Sequence, residues 1–392
     1  MENFRFFVPT DIRFGRDRLS ELPEALAKFG KRVLVVYGGG SIKRSGLYER
    51  VMNQLSDFEV TELAGVEPNP RIDSVREGVK LARDNKIDVI LAVGGGSVVD
   101  ASKVIAASVP YDGDAWDLVK NPSLIDMALP LVDILTLSAT GTEMNRNAVI
   151  SNMETNEKLG TTGMNLIPQV SFLDPAETQT VSKWQTAAGL SDILSHLFEQ
   201  YFARTANVDL QDFLAEALMK VVIKHGPIAF NEPDNYESRA ELMWASSLAL
   251  NGLENAGKPV GWTVHPIEHE LSAFYDITHG VGLAILTPRW MEYALDEKTA
   301  PKFAQYGRNV WGLQGDDDMA VAKDAIRKTI AWYQSMDIPM TLPEVGIDES
   351  KLDVMAAAAV EHGGLTQGVY APMQPADVEA VLRASMTAPV VD

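Results

Sequence analysis

Two Gly-Gly-Gly-Ser turns constrain this chain more than any other feature. Gly38-Gly39-Gly40-Ser41 follows the β-branched run 32–37, and Gly94-Gly95-Gly96-Ser97 follows the run 87–93. Helical patterns come directly after each, at 45–55 and 98–107. A short apolar run stopped by glycine reads as a strand buried on both faces, and strand–turn–helix units in series predict a parallel sheet. Residues 58–63 add a strand, and 72–85 add a helix after the loop Glu67-Pro68-Asn69-Pro70. Residues 133–137 and 170–173 are further strands. Right-handed crossovers then make this a doubly wound α/β layer. Past Asp174-Pro175 the pattern changes to long helical stretches at 186–204, 209–225, 239–251, 281–295 and 319–336. The fold class expected is an N-terminal α/β parallel-sheet domain, 1–178, followed by an all-α C-terminal domain, 179–392, with the cleft between domains as the natural place for a site.

A chain of 392 residues is long enough for two cores. Its formal net charge of −20 repels nucleic acid and anionic membranes, so neither is an expected partner. The absence of cysteine excludes disulfides, thiolate metal sites and cysteine nucleophiles, and fits a cytoplasmic location. Residues 1–10 lack a basic stretch leading into an apolar core, so no signal peptide is expected. No apolar run approaches the roughly 20 residues of a membrane helix.

The glycine turns carry chemistry of their own. Glycine without a Cβ lets backbone N–H groups approach an anion, and the helix that follows adds partial positive charge at its N-terminus. Gly38, Gly39, Gly40 and Ser41, with Gly95, Gly96 and Ser97, therefore form a candidate pyrophosphate cradle, although the spacing is not G-x-G-x-x-G. The plainer reading is a pair of tight βα turns. Asp100, one turn into the next helix, is a candidate acceptor for a ribose hydroxyl or the nicotinamide amide; complementing the helix dipole is its plainer role. Thr136, Ser138 and Thr140 line a third polar turn after a strand. An acidic residue after the first strand would hold a free ribose 2′-hydroxyl. Here stand Gly39, Gly40 and Ser41, with Lys43 and Arg44 close behind, which favours NADP(H) over NAD(H).

Six histidines are present. His225 and His362 each precede a glycine and read as helix C-terminal residues complementing the dipole. Asp192 and His196, spaced i, i+4, share one helical face away from the stripe Leu190, Ile193, Leu194, Leu197 and Tyr201. Taken alone, that pair reads as a solvent-facing polar strip. The segment 264–280 changes the balance, because it holds His265, His269 and His279 within fifteen residues. One carboxylate with two or three imidazoles and no sulfur makes an N/O site for one divalent transition metal, with a coordination position left open for catalysis.

With these residues in view, the chain resembles the iron-containing (group III) alcohol dehydrogenases, specifically the NADPH-dependent butanol dehydrogenase and broad aldehyde reductase branch. The resemblance spans almost the whole length. It is carried by 37–46, 94–103, Ala139-Thr140-Gly141-Thr142-Glu143-Met144-Asn145, the helix with Asp192 and His196, and most specifically 264–280. It implies Asp192, His196, His265 and His279 as metal ligands, with iron(II) first and zinc(II) or manganese(II) as alternatives. It implies His269 as a histidine beside the nicotinamide that is not a ligand. Gly95, Gly96 and Ser97 match the pyrophosphate loop, Asp100 lies close to the nicotinamide half, and Thr136, Thr140 and Lys158 fall where the family contacts the cofactor. Gly39 stands where NAD-preferring relatives tend to have Asp. Thr142 departs from a common Ser but keeps the hydroxyl. A Rossmann-like domain, a helical domain and a homodimer are implied as well.

The activity expected is exchange of short-chain alcohols and aldehydes by hydride transfer. The metal would polarise the carbonyl oxygen, and His269, with histidine's ordinary pKa of about 6.5, would relay the proton. The alternatives are a glycerol dehydrogenase-like or dehydroquinate synthase-like enzyme on the same architecture. The latter needs many cationic groups around its substrate, and 264–280 contains no Lys or Arg.

Overall fold

The computed structural model describes residues 1–389. The chain divides into two compact units. One comprises Phe7–Val181 and Pro233–Asn251; the other comprises Met1–Phe6, Ser182–Glu232 and the residues from Gly252 onward. The sequence reading cuts the chain once, at 178/179, whereas these units cross over repeatedly.

The first unit is the α/β layer. Its strands are β1 (Asp11–Phe14), β2 (Arg32–Gly38), β3 (Glu59–Val66), β4 (Val89–Gly94), β5 (Leu131–Leu135), β6 (Asn147–Asn152), β7 (Glu157–Thr162) and β8 (Val170–Leu173). Its helices are α1 (Leu22–Ala27), α2 (Ser41–Arg44), α3 (Leu47–Gln54), α4 (Ile72–Asp84), α5 (Gly96–Ser108) and α6 (Ala115–Lys120). Six strands pair in the order β1-β8-β5-β4-β2-β3, every pair parallel. Helices cover both faces, which is why the central strands are continuously apolar. Along β2, Val33 and Val35 pack with Leu22, Leu47 and Val51 on one face. Leu34 and Val36 pack with Val75, Val104 and Ile105 on the other.

Three local readings change. The predicted helix 45–55 is α3, which starts only after Gly46, and a short helix α2 precedes it; Gly46, at φ 76°, parts the two. The predicted strand 133–137 ends at Leu135, and Thr136 begins the following loop. The antiparallel hairpin β6–β7 was absent from the expected elements. Its signal is the polar run Glu154-Thr155-Asn156, closed by Asn156 at φ 52°.

Helix α9 (Tyr236–Ala249) belongs to the α/β unit although it follows two helices of the other. Met243 packs with Leu135 and Leu173 at the strand ends. Ser247 Oγ donates to the Glu143 carboxylate, and Gln179 Nε2 donates to the Asp234 carbonyl at 2.9 Å.

The second unit holds α7 (Lys183–Tyr201), α8 (Asp209–Asn231), α10 (Val264–Tyr275), α11 (His279–Ala294), α12 (Ala300–Trp311), α13 (Asp318–Gln334), α14 (Leu352–Gly363) and α15 (Pro375–Ala384). Among the described residues it has no strand. α7 starts at Ser182, whose side chain accepts from Gln185 N. It packs against α8 and α11, and α10 packs against α11 and α14. No helix among the described residues is long and apolar enough to cross a membrane.

His225 corrects an expectation. It lies inside α8, which runs on through Gly226 and Pro227 to Asn231. Gly226 is not a stop: a Cβ there would stand 2.9 Å from the Trp332 ring, so the glycine permits close helix packing. His362 does sit in the last turn of α14, and its Nδ1 lies 2.7 Å from Glu270 Oε1.

Candidate functional site

In the α/β unit the polar turns converge. β2, β4 and β5 are neighbours and parallel, so the loops after them, 38–41, 94–97 and 136–142, leave the sheet at the same end. The chain goes outward from β2 to β3, then returns to β4 on the other side of β2. That reversal is a topological switch point, where the crevice outside the carboxyl ends of the strands takes ligands. Gly39 is open, with nothing within 4 Å of where a Cβ would stand. Gly40, at φ 101°, caps α2, where Ser41 begins the helix. Gly96 is crowded: a Cβ would stand 2.6 Å from Thr140, so only glycine lets the third turn close over the second. Thr136 N–H donates to the Gly94 carbonyl at 3.0 Å. Ser138 and Thr140 remain partly exposed on that loop, as does Ser97 at the start of α5.

Two candidate cofactor residues already have protein partners. Asp100 accepts from Thr142 Oγ1 at 2.6 Å and from Val149 N–H at 2.9 Å, which ties α5 to the loop and to β6. Lys158 Nζ donates to Asn69 Oδ1 at 2.9 Å. Lys43 lies over the rings of Tyr37 and Tyr48, at 5.0 and 4.6 Å, and both hydroxyls reach Glu62. Lys103 follows Asp100 one turn later on α5. It is fully buried, and Nζ donates to the carbonyls of Asn145 and Asn147 and to Asn145 Oδ1, at 2.8–3.1 Å. Burial pushes its pKa down to about 8 against the pull of Asp100, Asp133 and Glu143.

The helical unit collects the histidines. α7 is buried almost all round, so Asp192 and His196 are not a solvent-facing strip. The helix is polar on that face because the face meets α10 and α11. His265 opens α10 and His279 opens α11. Two glycines allow this approach: a Cβ on Gly280 would fall 1.9 Å from the Ala188 carbonyl oxygen on α7, and one on Gly282 would fall 2.7 Å from Glu268 Cγ on α10. Sequence reasoning missed both, although the run His279-Gly280-Val281-Gly282 is the visible signal.

Asp192 Oδ1 sits among three imidazole nitrogens. His196 Nε2 is 3.6 Å away, and His265 Nε2 and His279 Nε2 are each 3.7 Å away. These separations are too long for hydrogen bonds. They suit atoms around one ion, since bonds of about 2.1 Å at tetrahedral angles put ligands about 3.4 Å apart; the ligand atoms of Asp192, His265 and His279 all lie within 4.8 Å of one another, and His196 joins this group through its approach to Asp192. Asp192 Oδ1 and His265 Nε2 are buried without a hydrogen-bond partner, which is costly for polar atoms unless something else satisfies them. The donor set therefore fits a divalent metal.

The electrostatics agree. Burial opposes ionisation of Asp192, but His196, His279 and His265 outweigh it and hold the carboxyl well below the usual range. Burial, with the two neighbouring imidazoles, pushes His196 down to about 3, so its ring is neutral. Burial also opposes charge on His265, yet Asp192 and Glu199 push it up to about 9. The cluster thus calls for positive charge at its centre.

His269 is placed differently. Its ring lies 5.5 Å from that of His279 and 6.4 Å from that of His265, and it is partly exposed. Trp262 meets the His265 ring edge-on at 4.9 Å.

A parallel-sheet unit with a glycine cradle and a helical unit with an Asp/His₃ cluster define a class: dinucleotide-using, metal-dependent dehydrogenases. Residues 9–175 match the family described as iron-containing alcohol dehydrogenase, and residues 186–386 match the C-terminal region of the Fe-containing alcohol dehydrogenase family. The chain belongs to the iron-containing alcohol dehydrogenase family, and as such it is an NAD(P)-dependent alcohol dehydrogenase that takes a divalent metal and a nicotinamide cofactor. It is similar to NADH-dependent butanol dehydrogenase A of Clostridium acetobutylicum, at 52% identity over 98% of this chain and 100% of that one. It is also similar to the NADPH-dependent aldehyde reductase YqhD of Escherichia coli, at 38% identity over 93% of this chain and 94% of that one. Among solved structures, NADH-dependent butanol dehydrogenase A from Thermotoga maritima superposes with a TM-score of 0.94 at 38% identity, covering 99% of each chain.

Proposed function

We propose that the enzyme interconverts short-chain alcohols and aldehydes with NADP(H), as a butanol dehydrogenase and broad aldehyde reductase. One divalent metal is held by Asp192, His196, His265 and His279. The observation that carries this reading is the set of three imidazole nitrogens around Asp192 Oδ1, outside hydrogen-bond range, with Asp192 Oδ1 and His265 Nε2 buried and unpartnered. When the two groups are bound, the chemistry they supply is Lewis-acid polarisation of the substrate oxygen and hydride exchange at the nicotinamide. Asp192 and the imidazoles hold the ion and leave room for a substrate oxygen. Gly38–Ser41, Gly95–Ser97 and the Thr136–Thr140 loop cradle the dinucleotide, with Asp100 and Lys158 shaping that cradle. His269 donates the proton that the alkoxide requires, through a water or a ribose hydroxyl.

NADP(H) is favoured over NAD(H) because Gly39 presents no carboxylate and Lys43 and Arg44 follow on α2. The names of the relatives divide on this point, NADH for one and NADPH for another. Iron(II) is the metal we assign first, and zinc(II) and manganese(II) suit the same donors. The working unit is a homodimer, as the family resemblance implies, and cytoplasmic, in keeping with a cysteine-free chain.

The test is anaerobic oxidation of NADPH by butanal, with metal-free protein reloaded separately with iron(II), zinc(II) and manganese(II), and with NADH beside NADPH. Metal-dependent turnover with a higher kcat/KM for NADPH is the expected result. No turnover with any metal, despite measured NADPH binding, sinks the reaction assignment; a preference for NADH overturns the cofactor assignment alone. In the same assay His269→Ala lowers kcat by about 10² or more and leaves metal content unchanged. Loss of the metal in that variant would make His269 a ligand.

A further inference from the structure

The two imidazoles that open α10 and α11 are each backed by a buried carboxylate. Glu199 on α7 accepts from the backbone N–H groups of Thr263 and His265, both at 2.9 Å, and lies 3.3 Å from His265 Nδ1. Glu268 on α10 is fully buried, and its Oε2 accepts from His279 Nδ1. Its other oxygen accepts from Ser272 Oγ, one turn further along, at 2.5 Å. Gly282 makes the space that this side chain fills. A histidine whose Nδ1 carries the hydrogen must present Nε2 as the lone-pair donor, and an anionic acceptor behind it raises the ring's basicity.

We propose that Glu268 is the positioning residue for His279: its carboxylate fixes the Nδ1–H tautomer, aims Nε2 at the ion beside Asp192 and strengthens that nitrogen as a donor, while Ser272 fixes the rotation of the carboxylate. This rests on the metal reading above. Another geometry competes, because Glu268, His269 and His279 each bring a potential ligand atom within 4.8 Å of the others. The contact between Glu268 Oε2 and His279 Nδ1 engages those two atoms with each other, which favours the positioning role over a second ion.

The experiment measures ion stoichiometry and affinity by competition with a chromophoric chelator, and visible spectra of the cobalt(II)-loaded protein. The chains are native, Glu268→Gln, Glu268→Ala, Ser272→Ala and Asp192→Ala, each checked by Tm. The expected native result is one zinc(II) per chain, lost in Asp192→Ala. Glu268→Gln keeps an acceptor oxygen without charge, and Glu268→Ala keeps neither. Both therefore weaken zinc(II) between about 10- and 100-fold, with alanine the weaker. The cobalt(II) spectrum shifts in the alanine variant and stays nearer native in the glutamine variant. If Glu268→Ala does not fold, Ser272→Ala, which frees the carboxylate without removing it, gives a smaller weakening of the same sign. Native affinity and unchanged spectra in all Glu268 and Ser272 variants overturn the proposal, as does a second native equivalent that Glu268→Ala removes. Asp192→Ala binding as tightly as native would instead bring down the metal reading itself.

Discussion

Glu254 is an ionisable residue that its surroundings leave poorly compensated. It is buried in the helical unit, and neither carboxylate oxygen has a hydrogen-bond partner. Burial pushes its pKa up to about 8; Lys258 acts against that rise and Asp212 adds to it. The folded state therefore holds a proton that the unfolded state releases above about 4.5. The resulting stabilisation is complete below about pH 4.5, and it is lost as the pH rises towards 8. Glu254→Gln reproduces the protonated shape without the charge. Thermal unfolding should show the variant matching the native chain near pH 4.5 and melting higher near pH 8. A variant that melts lower at pH 8 would mean that the carboxylate is needed ionised. Nothing in the sequence marks Glu254, because burial of a loop acid depends on which helices close over it.

At the scale of elements, α5 joins the glycine turn to the polar segment that carries the third loop. Lys103 is the joint, since its three N–H groups go to Asn145 and Asn147. Lys103→Met keeps the length of the side chain, leaves the buried Asn145 carbonyl without its ammonium donor, and takes one donor each from Asn145 Oδ1, which keeps the Asn147 N–H, and the partly buried Asn147 carbonyl. A loss of about 3 kcal/mol or more is expected in denaturant unfolding, together with weaker dinucleotide binding by the loosened loop. A loss below about 1 kcal/mol would show that water replaces the ammonium. The sheet behind this helix was legible in the sequence because its central strands are apolar on both faces and end at glycines, so local pattern and tertiary environment agree. The histidine ligand candidates were legible by scarcity and spacing. The surroundings that make them converge were not. Gly280, Gly282 and Gly226 act by letting helices touch, and periodicity reports one helix at a time. α9 reads as one more helix of the second unit for the same reason, although Met243 and Ser247 pack against the strand ends and the Glu143 loop.

For the whole molecule the consequence of the proposed ion is a cross-link. Its ligands come from α7, α10 and α11, which bind positions 192 and 279 of the chain into one knot of the helical unit. Without the ion, Asp192 remains buried with His196 and His265 beside the partly exposed His279, and His265 serves as the positive partner for Asp192 and Glu199. An ion that binds only the folded chain stabilises it by about 2.7 kcal/mol when present at one hundred times its Kd. Spread over the unfolding entropy of a chain this long, that corresponds to a few degrees in Tm. Protons compete for the same nitrogens, so the increment must shrink as the pH falls below the imidazole range. Calorimetric scans of chelator-stripped and zinc(II)-reloaded protein at fixed free zinc, from pH 8 to pH 5, should show a positive Tm difference that narrows steadily towards acid. Asp192→Ala should show no difference at any pH, because the remaining imidazoles lack the carboxylate that gathers them. A difference that persists at pH 5, or one that survives in Asp192→Ala, would place the stabilising ion elsewhere on a chain whose net charge of −20 offers many weak carboxylate sites.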